Sequence, residues 1–260
     1  MKKTKETKKA AAEKNAGAAK AFSRMAKQLG LGVLAGLSIG VGGLCYTALR
    51  AYVPGPGGLA LASLSFSIGL FLVCVFRFSL YTGKIGLYLE KKPTFWGGAD
   101  LLAMLIGNAG GAILLGYVVH LSSRGTDLAA TAEAIASARA LPFVEAPEFG
   151  DYLALCLRGA FCGLCVYLAV KCFAADRLGW KGTLLLVFFV FLFVHSGFEH
   201  CIANFYYFAA ANRWGADAAV DLLFVVLFNS LGTLPGIALW KIAEKSGIGE
   251  SRWLEGGDSK

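Results

Sequence analysis

The stretch VHSGFEHCIAN, residues 194–204, places one acid, two imidazoles and one amide inside a long apolar run, residues 183–211. Ionisable groups at membrane depth are costly, so they usually face a bundle interior or a transport pathway. A serine and a glycine within the stretch interrupt the apolar run. The stretch therefore predicts a membrane helix that is broken at a cluster of functional polar side chains.

The composition of the chain indicates an all-α membrane protein. Of its 260 residues, 57% are hydrophobic, 16% are charged and 33 are glycine. Soluble proteins normally carry about 25% charged residues, and glycine is more frequent in transmembrane helices than in soluble ones. The seven cysteines are scattered, and Cys162 and Cys165 form a C-x-x-C on a predicted membrane helix, where we interpret them as packing residues.

The net charge of +8 does not indicate nucleic-acid binding, because much of it lies in one terminal segment. Residues 1–27 contain eight lysines and one arginine ahead of the first apolar run. We expect this segment to be disordered and to lie on the cytoplasmic, anionic lipid surface. The apolar run that follows is too long for the core of a cleaved signal peptide.

Six apolar runs predict six transmembrane helices in one domain, residues 28–245, followed by a cytoplasmic tail, residues 246–260. The polar segment 122–149 is predicted to be a long outward-facing loop. Lysine and arginine collect in the tails and in two loops, so the positive-inside rule predicts an inner (plasma) membrane protein with both termini in the cytoplasm. The runs are about 29–53, 59–89, 98–121, 151–174, 183–211 and 218–242.

The two halves of the chain repeat one pattern. Ser79 precedes His200 by 121 residues, as Asn108 precedes Asn229. The second and fifth runs are both interrupted, and three spans per half require an inverted repeat. Interrupted helices at matching positions of inverted repeats point to a transport site.

Four motifs carry a resemblance to a known family. SGFEHCIAN, residues 196–204, resembles the fifth-helix signature of the formate/nitrite transporter family. LYTG at 80–83 is similar to the LFTG loop that breaks the second helix of the family, and GNAGGA at 107–112 resembles its third-helix motif. LRGAFC at 157–162 resembles the fourth-helix motif. The resemblance covers about residues 20–245.

This resemblance implies an aquaporin-like homopentamer in the lipid bilayer, with one pore in each protomer and no cofactor. Its substrates would be small monovalent anions of weak acids, such as formate, nitrite or hydrosulfide, moved with a proton. By position, His200 would be the central pore histidine, with Thr82 and Asn229 as polar companions. The remaining implied roles are an outer constriction (Phe66, Phe193), an inner constriction (Leu70, Tyr81, Val166), a cytoplasmic-vestibule cation (Lys20) and a candidate outer-vestibule cation (Arg158). Separately from the resemblance, we expect five residues to support the site: Glu199, Asn204, Asn108, Ser79 and Arg77.

Several positions depart from the family pattern. Ser79 stands where an acid usually precedes the loop, and Arg77 stands where a glycine is usual. Gly163 replaces the usual fourth-helix asparagine, and Tyr81 replaces the loop phenylalanine. These departures leave the substrate open, and Arg77 has either a subunit or headgroup contact or a gating role.

Each polar residue also has a structural interpretation. His200 could be a buried imidazole whose hydrogen bonds are satisfied. As a pore residue it would either donate a proton to the anion or only polarise a relaying water. We expect Glu199 to bond backbone at the break, His195 and His120 to be packing or interfacial residues, and Asn108 to be structural. A membrane asparagine often forms hydrogen bonds between helices; for Asn229 we expect pore lining instead. Thr82 suits either a mobile gate or a helix cap.

Three other functions compete with anion transport. An aquaporin-type channel for neutral solutes would share the implied fold, but the two N-P-A motifs expected there are absent from the sequence. A membrane metalloenzyme could use His195, Glu199 and His200, but H-x-x-x-E-H lacks the spacing of the H-E-x-x-H zinc motif. A sensor or scaffold that transports nothing is the third.

Overall fold

A computed structural model describes the backbone of residues 2–91, 93–140, 147–176 and 179–245, and side chains from residue 17 onward except residue 18. The predicted tail 246–260 lies outside the described residues. The regular structure of the described part is α-helical, with eleven helices: α1 Lys2–Tyr52, α2 Gly55–Ser65, α3 Ser67–Val75, α4 Tyr81–Leu89, α5 Phe95–Ser122, α6 Asp127–Ala140, α7 Phe149–Asp176, α8 Trp180–His195, α9 Cys201–Ala210, α10 Ala216–Leu231 and α11 Thr233–Lys245.

Five described segments are long and apolar enough to cross a membrane. They are Ala19–Tyr52, Gly55–Val75, Phe95–Ser122, Phe149–Asp176 and Ala216–Lys245. The fifth predicted run forms α8, which is apolar but has only 16 residues, and α9, which continues beyond a break. Large apolar side chains such as Leu223 and Phe188 remain more than 60% exposed, as expected of helices that face lipid or other subunits.

The expectation of a disordered segment at residues 1–27 is wrong for its described backbone. Helix α1 begins at Lys2 and continues without interruption into the first apolar run. Alanine, lysine and glutamate are strong helix formers, and residues 2–16 contain neither glycine nor proline. Helical propensity over this window outweighs the charge that suggested disorder.

The predicted outward loop at residues 122–149 is also wrong in part, because residues 127–140 form α6. Ala132, Ala136 and Ala140 recur every four residues and are fully buried, so they form one close-packing face. This face lies against α1 and α9. Helix α6 therefore covers one end of the bundle, which we call the α6 side; the opposite end, where α11 finishes, is the N-terminal side.

The chain takes the same path at both helix breaks. Arg77 has φ 56° and Gly197 has φ 71°, and these two residues are 120 positions apart. In the first break the Phe78 N–H donates to the Val73 carbonyl at 2.9 Å; in the second the Phe198 N–H donates to the Phe193 carbonyl at the same distance. The two breaks are structural repeats with a register of 120 residues, so His200 corresponds to Leu80 rather than to Ser79 as the sequence spacing suggested.

Two asparagines hold the breaks to the neighbouring helices. The Asn108 side-chain oxygen accepts from the Tyr81 N–H at 2.7 Å, and its amide nitrogen donates to the carbonyls of Gly32 and Ser79 at 2.9 and 2.8 Å. The structural role expected for Asn108 agrees with these bonds.

Asn229 makes the equivalent bonds at the second break. Its oxygen accepts from the Cys201 N–H at 2.9 Å, and its nitrogen donates to the carbonyls of Gly159 and Glu199, both at 2.8 Å. Its side chain is fully buried. The structure therefore shows both polar atoms of the Asn229 side chain bonded to backbone groups of the break, and the expected pore-lining role stays a prediction.

Replacing Asn229 with leucine should destabilise the protein strongly. Three buried backbone groups would lose their partner, and each unsatisfied group costs about 1–3 kcal/mol. We expect Asn229→Leu to lower the free energy of unfolding by about 3 kcal/mol or more, seen as a lower thermal midpoint in detergent. Leu227→Ala, at an exposed position of the same helix, is the control. A wild-type midpoint with altered flux would contradict the tethering role.

Candidate functional site

The break between α8 and α9 places His200 at the centre of the bundle. His200 is 2% exposed and is the N-cap of α9, where its Nδ1 accepts from the Ala203 N–H at 3.3 Å. Its Nε2 lies 3.0 Å from the Oγ1 of Thr82, at the start of α4. Since Nδ1 must offer a lone pair to the backbone, the ring proton resides on Nε2, and Nε2 donates to the Thr82 hydroxyl. Thr82 thus pairs with His200 across the two breaks.

Two phenylalanines cover this pair on the α6 side. The rings of Phe66 and Phe193 meet edge to face with centroids 6.0 Å apart, and Phe193 stacks on the His200 imidazole at 5.9 Å. Both phenylalanines are buried. The aromatic pair expected to form the outer constriction is in contact, directly beside the histidine.

An aliphatic ring lies on the N-terminal side of the pair. Leu70, Leu80 and Val166 are at most 2% exposed and belong to one apolar cluster. Leu70 follows Phe66 by four residues, which is about 6 Å along α3. Tyr81 was expected in this ring, but it packs against Ile85, Leu101 and Met104, with its hydroxyl 2.8 Å from the Ser230 Oγ.

Leu80 therefore takes the place in the inner ring that the sequence interpretation assigned to Tyr81. As the residue that precedes α4 at the break, Leu80 is the repeat counterpart of His200. Pairing the two breaks with a register of 120 residues, rather than 121, would have matched His200 to Leu80 and identified Leu80 as the ring residue.

A wide cavity of about 750 Å³ opens on the α6 side of the phenylalanine pair. Arg50, Arg139 and Arg158 line it, together with the acids Asp127 and Glu199. Arg158 thus lies where a vestibule cation was expected. Arg139 also lines a small cavity of about 40 Å³, together with Phe66, Phe193 and His200. Among the described lining of this cavity, Arg139 is the cation, and it lies next to the phenylalanine pair.

Arg139 is part of a buried polar network. It forms an ion pair with Glu199, and its guanidinium lies 4.7 Å above the Tyr207 ring. The Asn204 amide nitrogen donates to Glu199 at 3.1 Å and to Asp221 at 2.8 Å. The Glu199 carboxylate was expected to bond backbone; its partners are instead the side chains of Arg139 and Asn204.

Sequence reasoning missed two members of this network. Asp221 is an acid inside the sixth apolar run, and its position at membrane depth was a usable signal. Arg139 could not be found while residues 122–149 were taken for a loop. The four-residue spacing of alanines in that segment was the signal for its helix.

A second cavity, of about 330 Å³, opens on the N-terminal side of the aliphatic ring. Arg77 and Lys84 line it, whereas Lys20 is exposed on α1 and is not among its described lining. Ser79 donates to the Gln28 side chain at 2.5 Å, and its N–H donates to the Leu31 carbonyl at 3.3 Å. Ser79 therefore ties the first break to α1.

The other two histidines lie outside the central pair. His195 is exposed, stacks on Phe191 with centroids 5.0 Å apart, and has its Nδ1 3.5 Å from the Ser63 Oγ. The His120 Nδ1 lies 3.2 Å from the Ala210 carbonyl oxygen at the end of α9. Among the residues whose placement is described, no group of three or more His, Cys, Asp and Glu side chains has a metal-binding arrangement.

Comparisons with known proteins show that this fold is similar to that of solved channel structures. Among solved structures, a pentameric formate channel with formate bound superposes with a TM-score of 0.69 at 24% identity, covering 85% of this chain and 97% of that chain. An ion channel of the FNT family gives a TM-score of 0.67 at 21% identity, covering 85% of this chain and 98% of that chain. No curated protein sequence matches significantly.

The sequence profile of the family described as formate/nitrite transporter matches residues 7–240, which is most of the chain. The apolar helices and this match make the chain a multi-pass membrane protein of the transporter class rather than an enzyme. The protein belongs to the formate/nitrite transporter family.

Proposed function

We propose that the protein is a channel for small monovalent anions of weak acids, of the formate, nitrite or hydrosulfide class. The observation that carries this proposal is the buried polar pair of His200 and Thr82. The phenylalanine pair lies on one side of it and the aliphatic ring on the other. Cations line the cavities beyond both rings. This arrangement attracts anions to each end and removes water in the middle.

The phenylalanine pair and the aliphatic ring determine whether the substrate crosses as the anion or as the neutral acid. A dehydrated anion is costly between apolar side chains, whereas the neutral acid is far less so. Desolvation also favours protonation of a weak acid, so the anion takes up a proton as it enters the dry centre. The Thr82 hydroxyl accepts the Nε2 proton of His200 and can donate its own hydrogen to the substrate, which replaces part of the lost hydration.

His200 acts as a polarising group and not as the proton source. Forming the imidazolium would place a proton on Nδ1, opposite the Ala203 N–H that Nδ1 now accepts. This would remove the cap of α9 and bring two donors together. Donation from the neutral ring would leave an imidazolate, which is more unfavourable still. A relayed water proton is therefore the better source.

The assembly we propose is a homopentamer with one pore in each protomer. One structural neighbour is described as a pentameric formate channel, and the exposed apolar side chains of this chain provide surface for subunit contacts and for lipid. Counting α2–α4 as the second span and α8–α9 as the fifth gives six spans in an inverted, aquaporin-like repeat. The basic residues outside the spans support the further proposal that both termini are cytoplasmic and that the protein lies in the plasma membrane.

The cations at both ends favour an anion over the neutral solute of an aquaporin-type channel. Arg50, Arg139 and Arg158 outnumber the two acids of the α6-side cavity. Neutral solutes gain nothing from such charge, whereas anions gain local concentration. Uptake of glycerol without uptake of formate into proteoliposomes would support the neutral-solute alternative.

Replacing His200 with asparagine should separate polarisation from proton donation. We expect formate flux in proteoliposomes to fall about ten-fold, corresponding to about 1.4 kcal/mol of lost stabilisation. The shape of the flux profile between about pH 5 and 8 should stay that of the wild type, because we propose that a relayed water and not the capped imidazole supplies the proton.

The matched control is His195→Asn, the same change at an exposed histidine on α8. We expect wild-type flux from it. A His200→Asn profile that loses its pH dependence would show that the imidazole is the proton donor. The same flux measurements with nitrite and hydrosulfide show which anion the wild-type protein transports fastest.

Replacing Arg139 with glutamine should lower stability, because Glu199 would stay buried without its cation. Breaking a buried ion pair by removing one partner costs about 3–5 kcal/mol. The double variant Arg139→Gln/Glu199→Gln should recover most of the thermal midpoint. It should not recover formate flux at low salt, since the vestibule cation is still missing.

The control for this pair is Arg124→Gln, an exposed cation on the α6 side. We expect wild-type stability and flux from it. Full recovery of low-salt flux in the double variant would contradict a direct role of Arg139 in attracting the anion.

A further inference from the structure

The cavity on the N-terminal side begins directly beneath the aliphatic ring. Val73 follows Leu70 by about one turn of α3, and Val170 follows Val166 by one turn of α7; both valines line the cavity, as does Leu80 itself. The cavity is therefore adjacent to the ring on this side.

The charges of this cavity are of one sign. Its described lining contains two cations, Arg77 and Lys84, and no carboxylate. Glu90, at the far end of α4, is bonded instead to Tyr167 and to Lys171, whose Nζ lies 3.0 Å away. Glu90 thus has its own cation.

Arg77 occupies a backbone conformation that an arginine adopts only at a cost. Its φ of 56° lies in the left-handed region, where glycine is free of strain, and its repeat counterpart is Gly197. Strain of this kind, next to a cavity and a constriction, points to a use for the side chain. Arg77 thus contributes an arginine to the lining of the cavity at a position whose repeat counterpart is a glycine.

We propose that Arg77 and Lys84 form an anion-loading site that favours planar anions with two oxygens, such as formate and nitrite, over hydrosulfide. The guanidinium offers a planar fork that binds two oxygens at once, whereas Lys84 contributes a point charge. Hydrosulfide has a single acceptor atom and gains only from the charge. This inference rests on the proposed anion channel and deepens it, because it names the preferred shape of the anion.

The test compares wild type, Arg77→Gly and Arg77→Lys in proteoliposomes, with formate or hydrosulfide at low concentration. We expect Arg77→Gly to lower both fluxes about three-fold or more at about 10 mM salt. Wild type and variant should converge at about 0.5 M salt, where charges are screened. Arg77→Lys should restore hydrosulfide flux fully and formate flux only in part.

The thermal midpoint separates this role from a structural one. Arg77→Gly removes the left-handed strain, so we expect a midpoint equal to or above that of the wild type. The control is Lys181→Gln, a cation on the N-terminal side that lies over Trp180 rather than in the cavity. It should leave both fluxes unchanged.

The outcomes distinguish the two proposals. Wild-type vesicles that take up none of the anions overturn the proposed function. Wild-type uptake with an identical Arg77→Gly flux at low salt overturns the loading site and leaves the channel intact. A flux loss that is the same at every salt concentration, with a lower midpoint, also overturns the site. Equal formate and hydrosulfide recovery in Arg77→Lys overturns the preference for two oxygens.

Discussion

The structure depends on satisfying the backbone groups of two helix breaks in a place without bulk water. A backbone N–H or carbonyl without a hydrogen-bond partner costs several kcal/mol inside a membrane, so an irregular segment needs hydrogen-bond partners within the protein. Asn108 and Asn229 supply them, each with one acceptor and two donor contacts to backbone. These two amides hold the first residues of α4 and α9, and hence the positions of Thr82 and His200.

His200 connects the fold to the site through its two ring nitrogens. Nδ1 caps α9, and this bond leaves Nε2 as the protonated nitrogen that faces Thr82. The same contact that completes the helix therefore selects the tautomer and opposes a positive charge on the ring.

The two cavities present their cations differently. On the α6 side, Arg139 is paired with Glu199, so its charge is partly compensated and its position is rigid. On the N-terminal side, Arg77 and Lys84 share a cavity without a described carboxylate in its lining. The two breaks thus share one backbone path while their side chains differ, with Arg77 at the position that corresponds to Gly197 as the clearest case.

The sequence by itself determined the features that depend on residues close together in the chain. Apolar run lengths located the membrane helices, polar and glycine residues located the breaks near 79 and 197, and the SGFEHCIAN motif identified His200 and the family. Only the tertiary structure decided that Asn229 bonds backbone, that Leu80 rather than Tyr81 joins Leu70, and that Arg139 reaches Glu199 from a helix taken for a loop. These facts depend on contacts between residues distant in the chain and on a one-residue register, and neither hydrophobicity nor spacing along one helix records them.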